Sequence, residues 1–147
     1  MTEQLVIRPM VLDDYDSVMA LMRGAAGVSL RAADSREAIG RYLERNPGLS
    51  LIAEDGQRLI ACVFCGHDGR RGYLYHVVVA PSHRGVGVGR AIVSHALDGL
   101  AAEGIHKTHI DVFADNEQAI EFWKATGWEM RDDLVRMSFI HSTDRNA

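Results

Sequence analysis

Apolar and polar positions along this chain recur with two different periods, and each change of period marks an element. Leu5-Val6-Ile7, closed by Arg8-Pro9, has the pattern of a first strand. Asp13 or Asp14 then stands where a helix cap belongs, and Tyr15, Val18, Met19 and Met22 follow at the i, i+3, i+4, i+7 spacing of one helix face. Gly24 and Gly27 end that helix. Asp34 or Ser35 offers a second cap, Ile39, Tyr42 and Leu43 a second apolar stripe, and Asn46-Pro47-Gly48 a stop. The pattern then shortens to strands over 49–53, 59–65 and 73–80, joined by turns at 54–57 and 66–72. Residues 91–103 carry the helical face Ile92, Val93, Ala96, Leu97, Leu100, with Gly104 as the residue that ends it. Residues 108–112 read as a strand. Asp115 or Asn116 caps a helix through Thr126 that Gly127 closes, and 128–130 and 134–140 read as two closing strands. The tail 141–147 is polar and expected to fray.

The predicted order is β-α-α-β-β-β-α-β-α-β-β. Tight turns make the middle strands antiparallel, while the unit 73–80, helix, 108–112 is a crossover and therefore parallel. The fold class is α/β in the α+β sense, a mixed sheet with helices packed on it. At 147 residues the chain is expected to be one domain, 1–147, with a core over about 5–140. Hydrophobic residues at 47% and charged residues at 24% are ordinary for a globular protein. A formal net charge of -4 argues against a grip on nucleic-acid backbone, which needs a basic excess. Cys62 and Cys65 sit in one strand at a spacing that turns them to opposite faces, so a bridge or shared metal is not expected and both read as buried thiols. Met1-Thr2-Glu3-Gln4 lacks the start of a signal peptide, and no apolar run approaches the roughly 20 residues of a membrane span. The expected setting is cytoplasmic.

The chemistry concentrates in Val77-Val78-Val79-Ala80-Pro81-Ser82-His83-Arg84-Gly85-Val86-Gly87-Val88-Gly89-Arg90. A β-branched run ends at a proline, a basic glycine-rich turn follows, and a helix begins. Glycines let backbone approach an anion closely, and the unpaired N–H groups of a first helical turn point at it. Arg84 and Arg90 add positive charge. The expected ligand therefore bears phosphate. A dinucleotide fingerprint would want G-x-G-x-x-G, which Gly85-x-Gly87-x-Gly89 does not supply, since position 90 is arginine. Only one crossover follows the loop, where dinucleotide domains repeat the unit.

Arg84-Gly85-Val86-Gly87-Val88-Gly89 instead fits R/Q-x-x-G-x-G/A after a strand ending in Val-Ala-Pro. Further along stands Asn116-Glu117-Gln118-Ala119-Ile120-Glu121-Phe122-Trp123-Lys124-Ala125-Thr126-Gly127-Trp128. Together they resemble the two signatures of the GCN5-related N-acetyltransferases, in order and on the right elements, and the resemblance covers nearly the whole chain. It implies a mixed, mostly antiparallel central sheet of six to seven strands flanked by about four helices, with acetyl-CoA as cosubstrate, an amine acceptor, and a possible homodimer. It implies a bulge near Val78, a pantetheine arm held by Val77 and Val79, and a pyrophosphate held by Arg84, Gly85, Val86, Gly87, Val88, Gly89 and Arg90. Asn116 would reach the pantetheine, with Phe122 and Trp123 at the thioester end. The N–H of Val78 would polarise the thioester carbonyl.

Proton chemistry is the open part. Family members often carry a tyrosine acid where this chain has Trp123, and an indole cannot act as an acid near neutrality. The positions of the usual bases are Tyr73 and Tyr75, which strand alternation puts on the same side as Val77. Histidine is the side-chain type suited to the role, but parity puts His76 on the other face. His67 and Asp68 lie in a turn that could flank the acceptor. Two further readings compete with transfer to an amine: a module that senses acyl-CoA without turnover, and a dinucleotide-binding domain.

Overall fold

A computed structural model describes residues 5–25 and 27–147. The expectation about Met1 to Gln4 lies outside the described residues. Five strands form one sheet in the order β1-β2-β3-β4-β5: β1 Leu5–Pro9, β2 Leu51–Asp55, β3 Arg58–His67, β4 Gly72–Val79 and β5 Thr108–Ile110. The first three junctions are antiparallel and β4–β5 is parallel; tight turns require the former of β2–β3 and β3–β4 and a helical crossover the latter, while β1 reaches β2 through α1 and α2. The helices are α1 Tyr15–Arg23, α2 Arg36–Arg45, α3 Val88–Ala102 and α4 Glu117–Ala125. None of them is long and apolar enough to cross a membrane.

The sheet is covered on both faces, and β3 shows it most clearly. Its residues from Ile60 to Gly66 are all buried, so it reads as a continuous apolar run where a one-faced strand would alternate. Cys65 belongs to the core under α3, with Ile92, Ala96 and Leu100. Cys62 belongs to the core under α1 and α2, with Val18, Met22 and Ile39. The two thiols lie on opposite faces, free and buried, and burial pushes each up to about 12. Neither is a thiolate nucleophile near neutral pH.

Caps and close approaches fix the helix ends. Ser35 Oγ accepts the Ala38 N–H at 3.2 Å and Asn116 Oδ1 the Ala119 N–H at 3.1 Å, each satisfying one of the first-turn donors. Asp14 stands at the N-cap of α1 but its carboxylate goes elsewhere, to the Arg8 guanidinium at 2.8 and 2.9 Å and the Val11 N–H at 2.9 Å. At Gly66 a Cβ would stand 2.6 Å from the Tyr42 hydroxyl and 2.7 Å from Asn46, so α2 can lie on β3 only because that position has no side chain.

The closing strands predicted at 128–130 and 134–140 do not pair: the chain beyond α4 carries no ladder, and among the described residues the sheet has five strands, fewer than the six to seven expected. The alternation there is real, with Val135, Met137 and Phe139 each 86–90% exposed. A strand exists only where a neighbour supplies its hydrogen bonds, and β-propensity alone does not supply one. Arg136 meets Asp111 at 2.9 Å and the Asn146 carbonyl accepts the Ala32 N–H at 2.8 Å. The arm therefore crosses from the end of β5 to the loop before α2.

Candidate active site

β4 decides the geometry of the site. Its first part pairs on both sides: Gly72, Tyr73 and Leu74 face β5, and the register with β3 matches Leu74 to Cys65 and Tyr75 to Phe64. The next regular pair is Val78 with Cys62, so His76 and Val77 together stand opposite Val63. This is a β-bulge, the extra residue of which re-aims every side chain beyond it. His76 is the one non-glycine among the described residues with a positive φ, +50°, a conformation that costs an L-residue about 1–2 kcal/mol.

The bulge corrects the parity reading. Leu74 packs in the α3-side core while Val78 packs in the α1/α2-side core, although an unbroken strand would put both on one face. Val77 and Val79 pack against the α3 side. Tyr73 and Tyr75 lie on the opposite side from Val77: Tyr75 meets Tyr42 of α2 edge-on at 6.3 Å and stacks on Tyr73 at 6.4 Å. His76 joins them, its ring edge-on to Phe64 at 5.8 Å. Strand alternation fails here because the chain inserts one residue.

Past Leu74, β5 has ended and, among the described residues, no strand pairs with the outer edge of β4. The Ala80 N–H donates to the Ile60 carbonyl at 2.7 Å, so by ladder alternation the backbone groups of Val79 face outward. The Val79 carbonyl does so, and Arg84 Nε donates to it at 3.0 Å. The edge leads to the glycine turn. Gly85 and Gly87 have φ of +77° and +90° with open space where a Cβ would be, and Gly87 caps α3. The first closed bond of α3 runs from the Ala91 N–H to the Gly87 carbonyl at 3.0 Å. The N–H groups of Val88, Gly89 and Arg90 therefore have no partner within the helix. Val86 is half-exposed at the rim of the turn, whereas Val88 is buried and anchors it. His83 fixes the turn from below, bonding Asp55 at 2.7 Å and Ser82 at 2.7 Å. The turn thus forms an open cradle of unpaired N–H groups beside Arg84 and Arg90, an arrangement suited to an anion.

The α4 residues divide. Phe122 stands beside the cradle, its ring 3.6 Å from where a Gly89 Cβ would lie, next to Val79. Trp123 is 8% exposed and wedged edge-on between Phe122 and Trp128, each 5.0 Å away. Asn116 uses its oxygen as the α4 cap and lays its amide over Gly27, where a Cβ would be 2.7 Å from Nδ2. Arg90 reaches the Ala125 carbonyl at 3.4 Å, at the end of α4. It lines a hollow of about 300 Å³ with Val93, Leu97, Phe122 and Trp128. His67 and Asp68 do turn chemistry: His67 bonds Glu103 at 3.0 Å, and Asp68 accepts the N–H groups of Arg70 and Arg71, both at 2.8 Å.

Two features of proton chemistry emerge that spacing did not reveal. Burial, seconded by the Asp111 charge and opposed by Arg136, holds the Tyr75 hydroxyl above its ordinary value. Tyr75 therefore stays a neutral phenol, able to donate or order water but ill-suited to take a proton. The second is Asp34, in a short turn before α2. Its Oδ1 meets His76 Nε2 at 2.8 Å, its Oδ2 accepts the Arg31 N–H at 2.9 Å, and its carbonyl accepts the Tyr15 hydroxyl at 2.7 Å. Asp34 had read as a candidate helix cap. Nothing in the sequence connects it to a residue 42 positions later.

The acetyltransferase (GNAT) family profile matches residues 15–128. An acetyltransferase of Sodalis glossinidius (strain morsitans) is 32% identical over 124 residues, 84% of this chain and 86% of the relative. Among solved structures, the PaiA N-acetyltransferase of Thermoplasma acidophilum in complex with coenzyme A superposes with a TM-score of 0.77 at 18% identity, over 90% of this chain and 92% of that one. Naa50 of Arabidopsis thaliana in complex with the bisubstrate analogue CoA-Ac-MVNAL gives 0.70 at 20% identity, over 88% and 85%.

Proposed function

This chain belongs to the acetyltransferase (GNAT) family, and from that premise we propose that it transfers the acetyl group of acetyl-CoA to a primary amine: a peptide N-terminus, a lysine or a small amine. The observation that carries the reading is continuity. One open strand edge runs from the anion cradle at Arg84–Arg90, past Val79, to the point where β5 closes it at Leu74. An extended arm ending in a thioester fits such an edge as an added strand would. A dinucleotide has no use for it.

In this reading the N–H groups from Gly85 to Arg90 hold the pyrophosphate, and Arg84 and Arg90 balance its charge. Val77 and Val79 bind the pantetheine, with Phe122 beside it and Asn116 at the opposite wall. The N–H that polarises the thioester carbonyl comes from the Val77–Val78 step at the bulge. Tyr73 and Tyr75 order the water and the amine. Trp123, packed in the core, supports Phe122 rather than the leaving sulfur. The amine enters beneath the arm that Arg136 ties to Asp111, where Tyr75 is 44% exposed.

The proposal includes a cytoplasmic setting and a pair of copies, the second joined through the apolar row Val135, Met137, Phe139 beside the edge strand β5; light scattering at micromolar protein tests the pairing. The function itself is tested by following thiol release from acetyl-CoA with a panel of peptides, lysine and small amines, and by mass spectrometry of acetylated products after incubation with cell extract. Release that depends on an amine is the expected result. CoA binding without release for any amine overturns the reading and leaves a sensing module.

A further inference from the structure

Resting on the acetyl-transfer reading, we propose that His76 is the general base, taking the acceptor's proton on Nδ1, and that Asp34 is the residue that positions its imidazole. The open edge of β4 ends where β5 begins to pair, at Leu74 with Ile110. An arm laid along it from the cradle runs out of edge there, so its thioester stops at the bulge. His76 is the bulge residue. Its side chain is 20% exposed, on the face shared with Tyr75 and away from the valines that hold the arm.

The tautomer follows from the partner. Asp34 accepts from His76 at 2.8 Å and from the Arg31 N–H at 2.9 Å. Burial is the largest influence and works to raise its carboxyl, but the His76 and Arg31 hydrogen bonds together with the charge of His76 hold it below the ordinary value. An ionised carboxylate only accepts, so Nε2 carries the hydrogen and Nδ1 keeps its lone pair. The same carboxylate stabilises the imidazolium once Nδ1 is protonated. The other titratable and charged groups around His76 are Tyr15 of α1, which bonds the Asp34 carbonyl and lies under Arg36, Tyr42 of α2, Tyr75 of β4, and Cys62 of β3, whose thiol donates to the His76 carbonyl at 3.5 Å. Asp111 and Arg136 face Tyr75 as an ion pair. The Cys62 thiol and the Tyr42 and Tyr75 phenols are held protonated by burial, which leaves the imidazole to take the proton.

The step balances. An acceptor arriving as R–NH3⁺ gives one proton to Nδ1. The nitrogen lone pair forms the C–N bond at the thioester carbon, and the C–S bond breaks with its electron pair going to sulfur. The second nitrogen proton passes to that thiolate, through water ordered by Tyr75. The products are amide and CoA thiol, and the imidazolium returns its proton to solvent.

The test uses His76→Asn, because asparagine tolerates positive φ, together with Asp34→Asn. With an amine that the wild type acetylates, His76→Asn lowers kcat by about 100-fold or more and removes the imidazole limb from the kcat–pH profile, while CoA affinity stays within about twofold. Asp34→Asn lowers kcat less and keeps that limb. Wild-type kcat in His76→Asn overturns the assignment; a wild type that acetylates no amine overturns instead the reading it rests on. Nitrogen-15 imidazole spectra of the full chain decide the matter without turnover. The expected record is a single Nε2–H tautomer of the neutral ring in the wild type, and a mixture of both tautomers in Asp34→Asn. An imidazole in one protonation state over about pH 5 to 9 overturns the base assignment whatever the acceptor.

Discussion

The two halves of β4 belong to one strand and meet different neighbours. Gly72–Leu74 is gripped by β3 on one side and β5 on the other, and Gly72 is so closely packed that a Cβ would meet Leu100 and Thr108 at 2.7 Å. Val77–Val79 has β3 on one side and nothing regular on the other, and it leads into glycines with open space above them. One half spends its hydrogen-bonding groups on ladders to both sides, while the other has a ladder on one side and, on its outer edge, a Val79 carbonyl that accepts from Arg84. A single inserted residue, His76, separates the two. A strand needs no special sequence to become a binding edge. It needs its neighbour to stop.

Breaking the open half should produce the largest effect. Gly87→Asp puts a side chain at a φ of +90° and a negative charge in the cradle, and is expected to weaken CoA binding by about 100-fold or more by calorimetry. Binding at wild-type strength would remove the cradle from the site. On the closed half, Gly72→Val is expected to cost about 1–3 kcal/mol in denaturant unfolding, with CoA affinity per folded molecule unchanged. An equal loss of affinity would mean that the halves are not separable.

At the divide, Asp34→Asn is expected to cost about 1–3 kcal/mol at neutral pH. It also changes the response to acid. The native carboxyl is held below its ordinary 3.8, so its contribution is complete above about pH 4 and is lost as pH falls through the lowered native value. Thermal melts of the variant should therefore fall less steeply than wild type below that pH. The smallest effect expected is that of Arg84→Ala. Its exposed bond to Val79 is worth under about 0.5 kcal/mol of stability, while CoA affinity should drop several-fold and lose part of its salt dependence. A stability loss above about 1 kcal/mol would show that Arg84 holds the edge rather than serving the ligand.

The elements along the sequence were legible because their causes are local. Apolar spacing placed four helices, glycines placed the turns, two caps were narrowed to Asp34 or Ser35 and to Asp115 or Asn116, of which the structure uses Ser35 and Asn116, and Arg84 to Gly89 with Asn116 to Trp128 placed the family. The glycine-rich turn needed no fold to be seen, since the unpaired N–H groups of a helix start are a local feature of the chain. Tertiary structure decided what depends on partners distant in the chain. Register is one case: the bulge moved His76 to the Tyr75 face and turned the tyrosines away from Val77, and a register is a property of two strands. Strand existence is another, since 134–140 alternates as a strand should but has no ladder to join. Trp123 is a third, a residue whose type suggested a missing acid and whose place is the core. The pairing of Asp34 with His76 is the plainest. Each residue was visible alone, and only the packing of the turn before α2 on the bulge of β4 brought a carboxylate to an imidazole at 2.8 Å.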